Sequence, residues 1–93
     1  MSMGVLLKDP QETTIFTCDW SARLATSETI ASSSWTVGTG LTKVTDAIVA
    51  GNLKTNLTVS GGTAGAKYAC TNTIVTSNSQ TLERTGYVQV GQL

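Results

Sequence analysis

Residues Gly61 to Thr76 read GGTAGAKYACTNTIVT, and this stretch decides the fold class. A glycine-rich turn runs into alternating side chains. In a strand every second side chain shares a face, so Ala66, Tyr68, Cys70, Asn72 and Ile74 project together. A tyrosine just inside such a turn, two residues before a small inward residue, is the trace of a tyrosine corner. There the ring covers one edge of a two-sheet core and the hydroxyl bonds back to the turn. A strand that merely contains a tyrosine is the plainer alternative. The order upstream favours the corner: Cys18, Trp35, Tyr68 and Cys70 follow one another as core residues of two facing sheets.

Working outward, the rest of the chain alternates in the same way. Thr14 to Trp20 puts Phe16, Cys18 and Trp20 on one face and Ile15, Thr17 and Asp19 on the other. Thr29 to Val37 places Ala31, Ser33, Trp35 and Val37 together, and the small residues before Trp35 leave space for a large neighbour such as the Trp20 ring. Leu53 to Ser60 is the cleanest run, with Leu53, Thr55, Leu57 and Val59 inward. Gln80 to Val90 returns after a Ser77-Asn78-Ser79 turn with Leu82, Val88 and Val90 inward, and the terminal GQL reads as a frayed tail. Val5 to Lys8 reads as a short first strand ended by Asp9-Pro10, because proline removes a ladder donor. Leu41 to Val44 and Ala47 to Ala50 are two short strand candidates before the Gly51-Asn52 turn. Ser21 to Ser27 is a connection. No window carries helical spacing with caps. About seven antiparallel strands at spacings near ten residues predict an all-β, immunoglobulin-like β-sandwich.

At 93 residues the chain makes one domain, residues 1–93, in which residues 1–10 could form an extended N-terminal arm. Six basic and six acidic residues give no net charge, so there is no basic stripe for nucleic acid. No apolar run reaches the roughly 18 residues that span a bilayer. The opening MSMGVLLKDPQE has no positive segment before its short apolar run and does not read as a secretory signal, which predicts residence in the cytoplasm until assembly. More than a quarter of the residues are Ser or Thr. Interleaved with Val, Ile, Leu and Tyr, they suit a pleated surface better than disorder.

Histidine is absent, which removes the usual general base, and two cysteines cannot complete a zinc site. The six carboxylates share no catalytic spacing. The expectation is a protein that is not an enzyme, with no catalytic, metal or cofactor site. Cys18 and Cys70 lie where the sheets of an immunoglobulin-like domain are bridged. A disulfide there would contribute about 4 kcal/mol, but two buried thiols are the commoner state in a reducing cytoplasm. Asp19, on the outward face, calls for a structural ion pair with Arg84 or Arg23. Asn56-Leu57-Thr58 matches the glycosylation sequon by accident where no signal peptide exists. Gly61 to Gly65 lacks the following Lys-Ser/Thr of a phosphate loop and is a turn. Trp20, Trp35 and Tyr87 are candidate anchors for a partner, with core packing the default for both tryptophans.

Several stretches together resemble a family of small tailed-phage virion proteins: KDPQET (Lys8–Thr13), DWS (Asp19–Ser21), Leu24, TSETIASSSWTV (Thr26–Val37), the glycine turn and tyrosine strand ending in TNTI (Ser60–Ile74), and TLERT (Thr81–Thr85). The family is that of phage fiber-tail adaptor proteins, and the resemblance runs from about Lys8 to Val90. It implies an immunoglobulin-like fold and a structural role in the virion, in several copies at the tail or neck, attaching fibers. The partners it implies are other phage structural proteins (tail, neck or fiber subunits), with neither nucleic acid nor membrane. It carries over no catalytic motif and does not include the two cysteines. A capsid decoration or surface-adhesion domain that binds a carbohydrate or host surface is the alternative. Val5, Leu6 and Leu7, apolar with no obvious partner inside the domain, are the candidate interface, with the Gly38–Gly40 and Gly61–Gly65 loops as competitors.

Overall fold

In a computed structural model of the chain, residues 2–49 and 51–91 are described. Those residues are all-β, with seven strands in two sheets and no helix. The strands are β1 (Ser2–Lys8), β2 (Thr14–Asp19), β3 (Ile30–Val37), β4 (Leu41–Val49), β5 (Lys54–Gly61), β6 (Lys67–Thr76) and β7 (Thr81–Val90). One sheet has the order β1-β7-β6-β3 and the other β2-β5-β4. Every pairing is antiparallel except that of β1 with β7, which is parallel. The hairpin between β4 and β5 turns on Gly51 and Asn52, both at positive φ. That between β6 and β7 turns on Ser77 to Ser79, closed by Thr76 N–H to the Gln80 carbonyl at 2.8 Å.

The period-two pattern explains the layering. Along β6, Tyr68, Cys70, Asn72, Ile74 and Thr76 are buried while their neighbours are exposed or half-buried; along β5, Thr55, Leu57 and Val59 do the same. The two inner faces meet in one core of Phe16, Cys18, Trp20, Ile30, Trp35, Leu41, Leu57, Val59, Tyr68, Cys70, Ile74, Val88 and Val90. Each fully buried Leu, Ile or Val contributes roughly 1.5–3 kcal/mol relative to exposure. With so small a domain, these few side chains carry most of the fold.

Four differences from the sequence expectation have physical causes. The two short strands expected on either side of Thr45 are one strand, β4, with a register shift between Lys43 and Thr45 that interrupts the alternation; Ala50 lies outside the described residues. A second shift between Ile30 and Ser32 turns Ile30 inward and leaves Ala31 exposed, so the inward set of β3 begins with a residue that strict alternation puts outside. The space beside the small residues of β3 is filled by the Asn72 amide, which donates to Ser33 Oγ and itself accepts from the Trp20 indole. Finally, residues 2–8 are not an arm: β1 is an integral edge strand, and Gly91 N–H bonds the Lys8 carbonyl at 2.8 Å. The remainder of the expected frayed tail, residues 92 and 93, lies outside the described residues.

Candidate interaction surface

One end of the molecule is built around Tyr68. Its hydroxyl accepts the Thr63 N–H at 2.9 Å, the bond back to the turn that a tyrosine corner requires. Gly40 and Gly62 press on the ring from two turns. A Cβ on Gly40 would stand 3.1 Å from Tyr68 Cε1, and one on Gly62 would stand 2.8 Å from Val90 Cγ2 and 3.3 Å from Tyr68 Cε2. Both have φ near +100° (+104° and +94°), a conformation that glycine alone adopts freely. The glycine loops therefore serve the fold. Lys8 closes the same end: it is fully buried, and its Nζ donates to the Gly61 carbonyl at 2.6 Å and the Asp9 carbonyl at 2.9 Å. The bond to Gly61 ties the edge strand of one sheet to the end of β5 in the other.

Between the sheets lies a polar layer centred on Asn72, which is fully buried. Its Oδ1 accepts the Trp20 indole N–H at 2.9 Å and the Thr55 hydroxyl at 2.6 Å, while Nδ2 donates to Ser33 Oγ and the Ser34 carbonyl, each at 2.9 Å. Two acceptor positions and two donors are thus all used. The pairing expected between Asp19 and Arg84 takes another form. Arg84 donates to the main-chain carbonyl of Asp19 at 2.7 Å, and its guanidinium lies 4.4 Å from the Trp20 ring centre. The Asp19 carboxylate instead accepts the Ser21 N–H at 2.9 Å, with Lys54 Nζ 3.9 Å away. Hydrogen bonds from Ser21 are the main cause that holds its pKa below the ordinary value; burial opposes them, and Lys54 and Arg84 add smaller lowering effects.

Cys18 and Cys70 are free and buried. Burial pushes the Cys70 thiol up to about 11 and raises Cys18 as well, against a lowering effect of Arg84. Neither carries thiolate character at neutral pH, so neither is a nucleophile in the closed fold. Both tryptophans pack in the core. Phe16 and Trp35 have ring centres 6.2 Å apart, and the Trp35 N–H is buried without an acceptor. Glu28, also buried, accepts the Ala25 N–H on Oε1 at 2.8 Å. Its Oε2 makes no hydrogen bond of ordinary length, yet the nearby Thr76 hydroxyl does most to hold the carboxyl below its usual pKa, followed by the Ala25 N–H. Among the described residues there is no cavity, and no three potential ligand side chains converge on a metal-sized site.

Of the six large apolar side chains left exposed among the described residues, Val5, Leu7 and Tyr87 are grouped along one edge, while Ile15, Val44 and Val75 are scattered over β2, β4 and β6. Val5 and Leu7 on β1 are 53% and 62% exposed, and Leu6 between them packs on the core. The parallel register sets Val5 beside Tyr87, and Tyr87 beside Ala69 on β6. Lys67 Nζ stands 5.5 Å from the Tyr87 ring centre and rims this strip. Elsewhere the edges carry the features that discourage strand addition. β4 has its register shift and a Lys43–Asp46 ion pair at 3.2 Å, β2 ends in Asp19, and β3 is shifted at its start and lined with serine. β1 is irregular between Ser2 and Val5 but regular from Val5 to Lys8, and the one charge there, Lys8, is turned inward. Tyr87 joins Val5 only because the first and last strands pair, which no local pattern in the sequence announces.

A two-sheet fold of seven strands, with an apolar strip along one strand edge, defines a small all-β protein. The chain belongs to the family described as podophage GP4 fiber-tail adaptor protein gp77, whose match covers residues 8–89. It is accordingly related to phage tail components, and to a family of structural adaptors. No curated protein matches the sequence.

Proposed function

We propose that this protein is a structural subunit at the joint between a phage tail or neck and its fibers, present in several copies and acting only through protein–protein contacts. The family match over residues 8–89 carries this reading. Its fold is read as an immunoglobulin-like sandwich: the parallel β1–β7 pair, the Tyr68 corner and the Cys18, Trp35, Cys70 order all suit that topology. The strip of Val5, Leu7 and Tyr87 is the surface offered to a neighbouring virion subunit, since an edge strand whose one charge is turned inward presents backbone donors and acceptors together with apolar side chains. A domain with modest stability of its own gains from such burial by mass action. The role requires complementarity of shape and edge, without turnover or cofactor.

Immunogold electron microscopy of purified phage particles, with antibody against this protein, tests the assignment. Label at the tail or neck, on intact or partly disassembled particles, is the expected result. Label confined to the head would overturn it in favour of a decoration protein.

A further inference from the structure

The open side of β1 carries a pattern that matches itself. Gly91 N–H bonds the Lys8 carbonyl, so Lys8 turns its backbone groups toward β7. Backbone groups alternate sides along a regular strand, and β1 is regular from Val5 to Lys8. Leu6 therefore also bonds toward β7, while Val5 and Leu7 present N–H and C=O away from it, on the outermost strand of the sheet. The same two residues project their side chains outward, 53% and 62% exposed. Between them Leu6 points inward and packs on the core only in part. The one charge in this run is turned inward too, since Lys8 is fully buried on the Gly61 carbonyl.

We propose that β1 pairs antiparallel with β1 of a second copy of this chain, about a two-fold axis beside Leu6. This deepens the assignment of the strip to subunit contact and rests on it. In that register Leu6 faces Leu6 of the second copy as a non-hydrogen-bonded pair, and Val5 faces its Leu7. Val5 and that Leu7 exchange both backbone bonds, and the two-fold repeats them. Their side chains meet on the outer face as cross-strand neighbours, with Tyr87 beside each Val5. Charge selects the occupant. An edge with no outward charge offers a charged strand no counter-ion; β1 is itself such a strand, whereas β2 and β4 expose Asp19 and Lys43. The other uncharged edge, β3, breaks register between Ile30 and Ser32. Three partly exposed side chains and a short edge per copy fall short of the roughly 1,200 Å² in total that a stable interface buries. The pair is therefore weak in dilute solution and forms where copies are held at about millimolar effective concentration, as in a particle.

The test uses the purified full chain, so its failure would leave the place of the protein in the particle, read by labelling, untouched. Leu6→Cys and Leu7→Cys are each mildly oxidised as folded proteins at roughly 1 mM. A residue on the two-fold opposes itself. Leu6→Cys should therefore cross-link to a dimer at least about tenfold faster than Leu7→Cys or the native chain, whose two thiols are buried. The native chain gives a second measurement that needs no substitution. On concentration from roughly 20 μM to about 1 mM, the Val5 and Leu7 amides should shift and exchange with solvent more slowly, and those of β3 and β4 should not. Equal cross-linking of the two variants would overturn the proposal. So would Val5 and Leu7 amides indifferent to concentration, or a response confined to β3 or β4.

Discussion

The layer around Asn72 and the edge along β1 belong to one sheet and treat solvent in opposite ways. At Asn72 every polar position is satisfied from within, by Trp20 and Thr55 from one side and Ser33 and Ser34 from the other. At β1, Val5 and Leu7 stand more than half exposed beside Tyr87 with nothing above them. Buried polar groups are costly unless fully paired, and when paired they fix one arrangement of the elements around them. Exposed apolar groups on an edge stabilise nothing in the free subunit. The first region specifies the fold, and the second is free to serve contact. Substitutions in the two should therefore separate stability from assembly.

The largest loss is expected at the centre of the layer. Asn72→Ala leaves the buried Trp20 N–H and Thr55 hydroxyl without the acceptor they share, which should cost about 3–5 kcal/mol in urea unfolding. A loss below about 1 kcal/mol would mean that water enters the layer and that its pairing is not what specifies it. Gly62→Ala comes next, at about 2–3 kcal/mol, because φ of +94° is unfavourable for alanine and its Cβ would press on Val90 at 2.8 Å. Tyr68→Phe keeps the ring between the glycine turns and removes only the Thr63 bond, so about 1 kcal/mol is expected. If Tyr68→Phe cost as much as Gly62→Ala, the hydroxyl rather than the close approach of the turns would be the main fastening of that end.

How these positions could be read from the sequence follows from how local their causes are. The Tyr68 corner was legible because turn, ring and hydroxyl partner lie within six residues, Thr63 to Tyr68. Alternation alone placed Phe16, Leu57, Val59, Ile74 and Val88 inward. It also placed Asn72 inward, but not the four groups that satisfy it, since those come from two other strands, β3 and β5, and the residue following β2. The register shifts near Ile30 and Val44 defeated strict alternation, which treats every residue as one step of the pleat. Nothing in the sequence marks Lys8 as buried, since lysine seldom is; only the crossing of β1 toward the end of β5 supplies the Gly61 carbonyl that its Nζ meets. The apolar strip was half visible. Val5, Leu6 and Leu7 stood out, whereas Tyr87 joined them through the pairing of the two terminal strands.

Acid offers a smaller, pH-dependent comparison within the interior. Glu28 has its pKa lowered from 4.5 in the folded state, chiefly by the Thr76 hydroxyl. A carboxylate with a depressed folded pKa contributes stability that is present above the unfolded value and is lost as pH falls through the folded one. The melting midpoint of the native chain should therefore decline as pH drops below about 4.5. Glu28→Gln should start lower at neutral pH and show a shallower decline across that window. Parallel curves for the two proteins would show that other carboxylates dominate the acid response.

The smallest effect on stability is expected where the effect on assembly is largest. Val5→Ser with Leu7→Ser changes side chains that face solvent and leaves Leu6 and Lys8 in place, so unfolding should shift by no more than about 0.5 kcal/mol. Removing residues 1–10 would not make the same test, because it deletes Lys8 and its bond to Gly61 and so damages the fold. Incorporation of the double variant into particles, measured by quantitative blotting of purified phage, should fall sharply if this edge meets a neighbouring subunit. Asn72→Ala provides the opposite case: subunits that survive folding keep the edge and should still be incorporated in proportion to their soluble amount. If the edge variant entered particles normally while remaining as stable as the native chain, the contact would have to lie elsewhere. The next candidate would be the exposed Ile15 and Val44 of the other sheet, 54% exposed each. Neither has another large exposed apolar side chain beside it in register, and a contact built there would depend on polar and backbone groups more than on the hydrophobic burial that β1 offers.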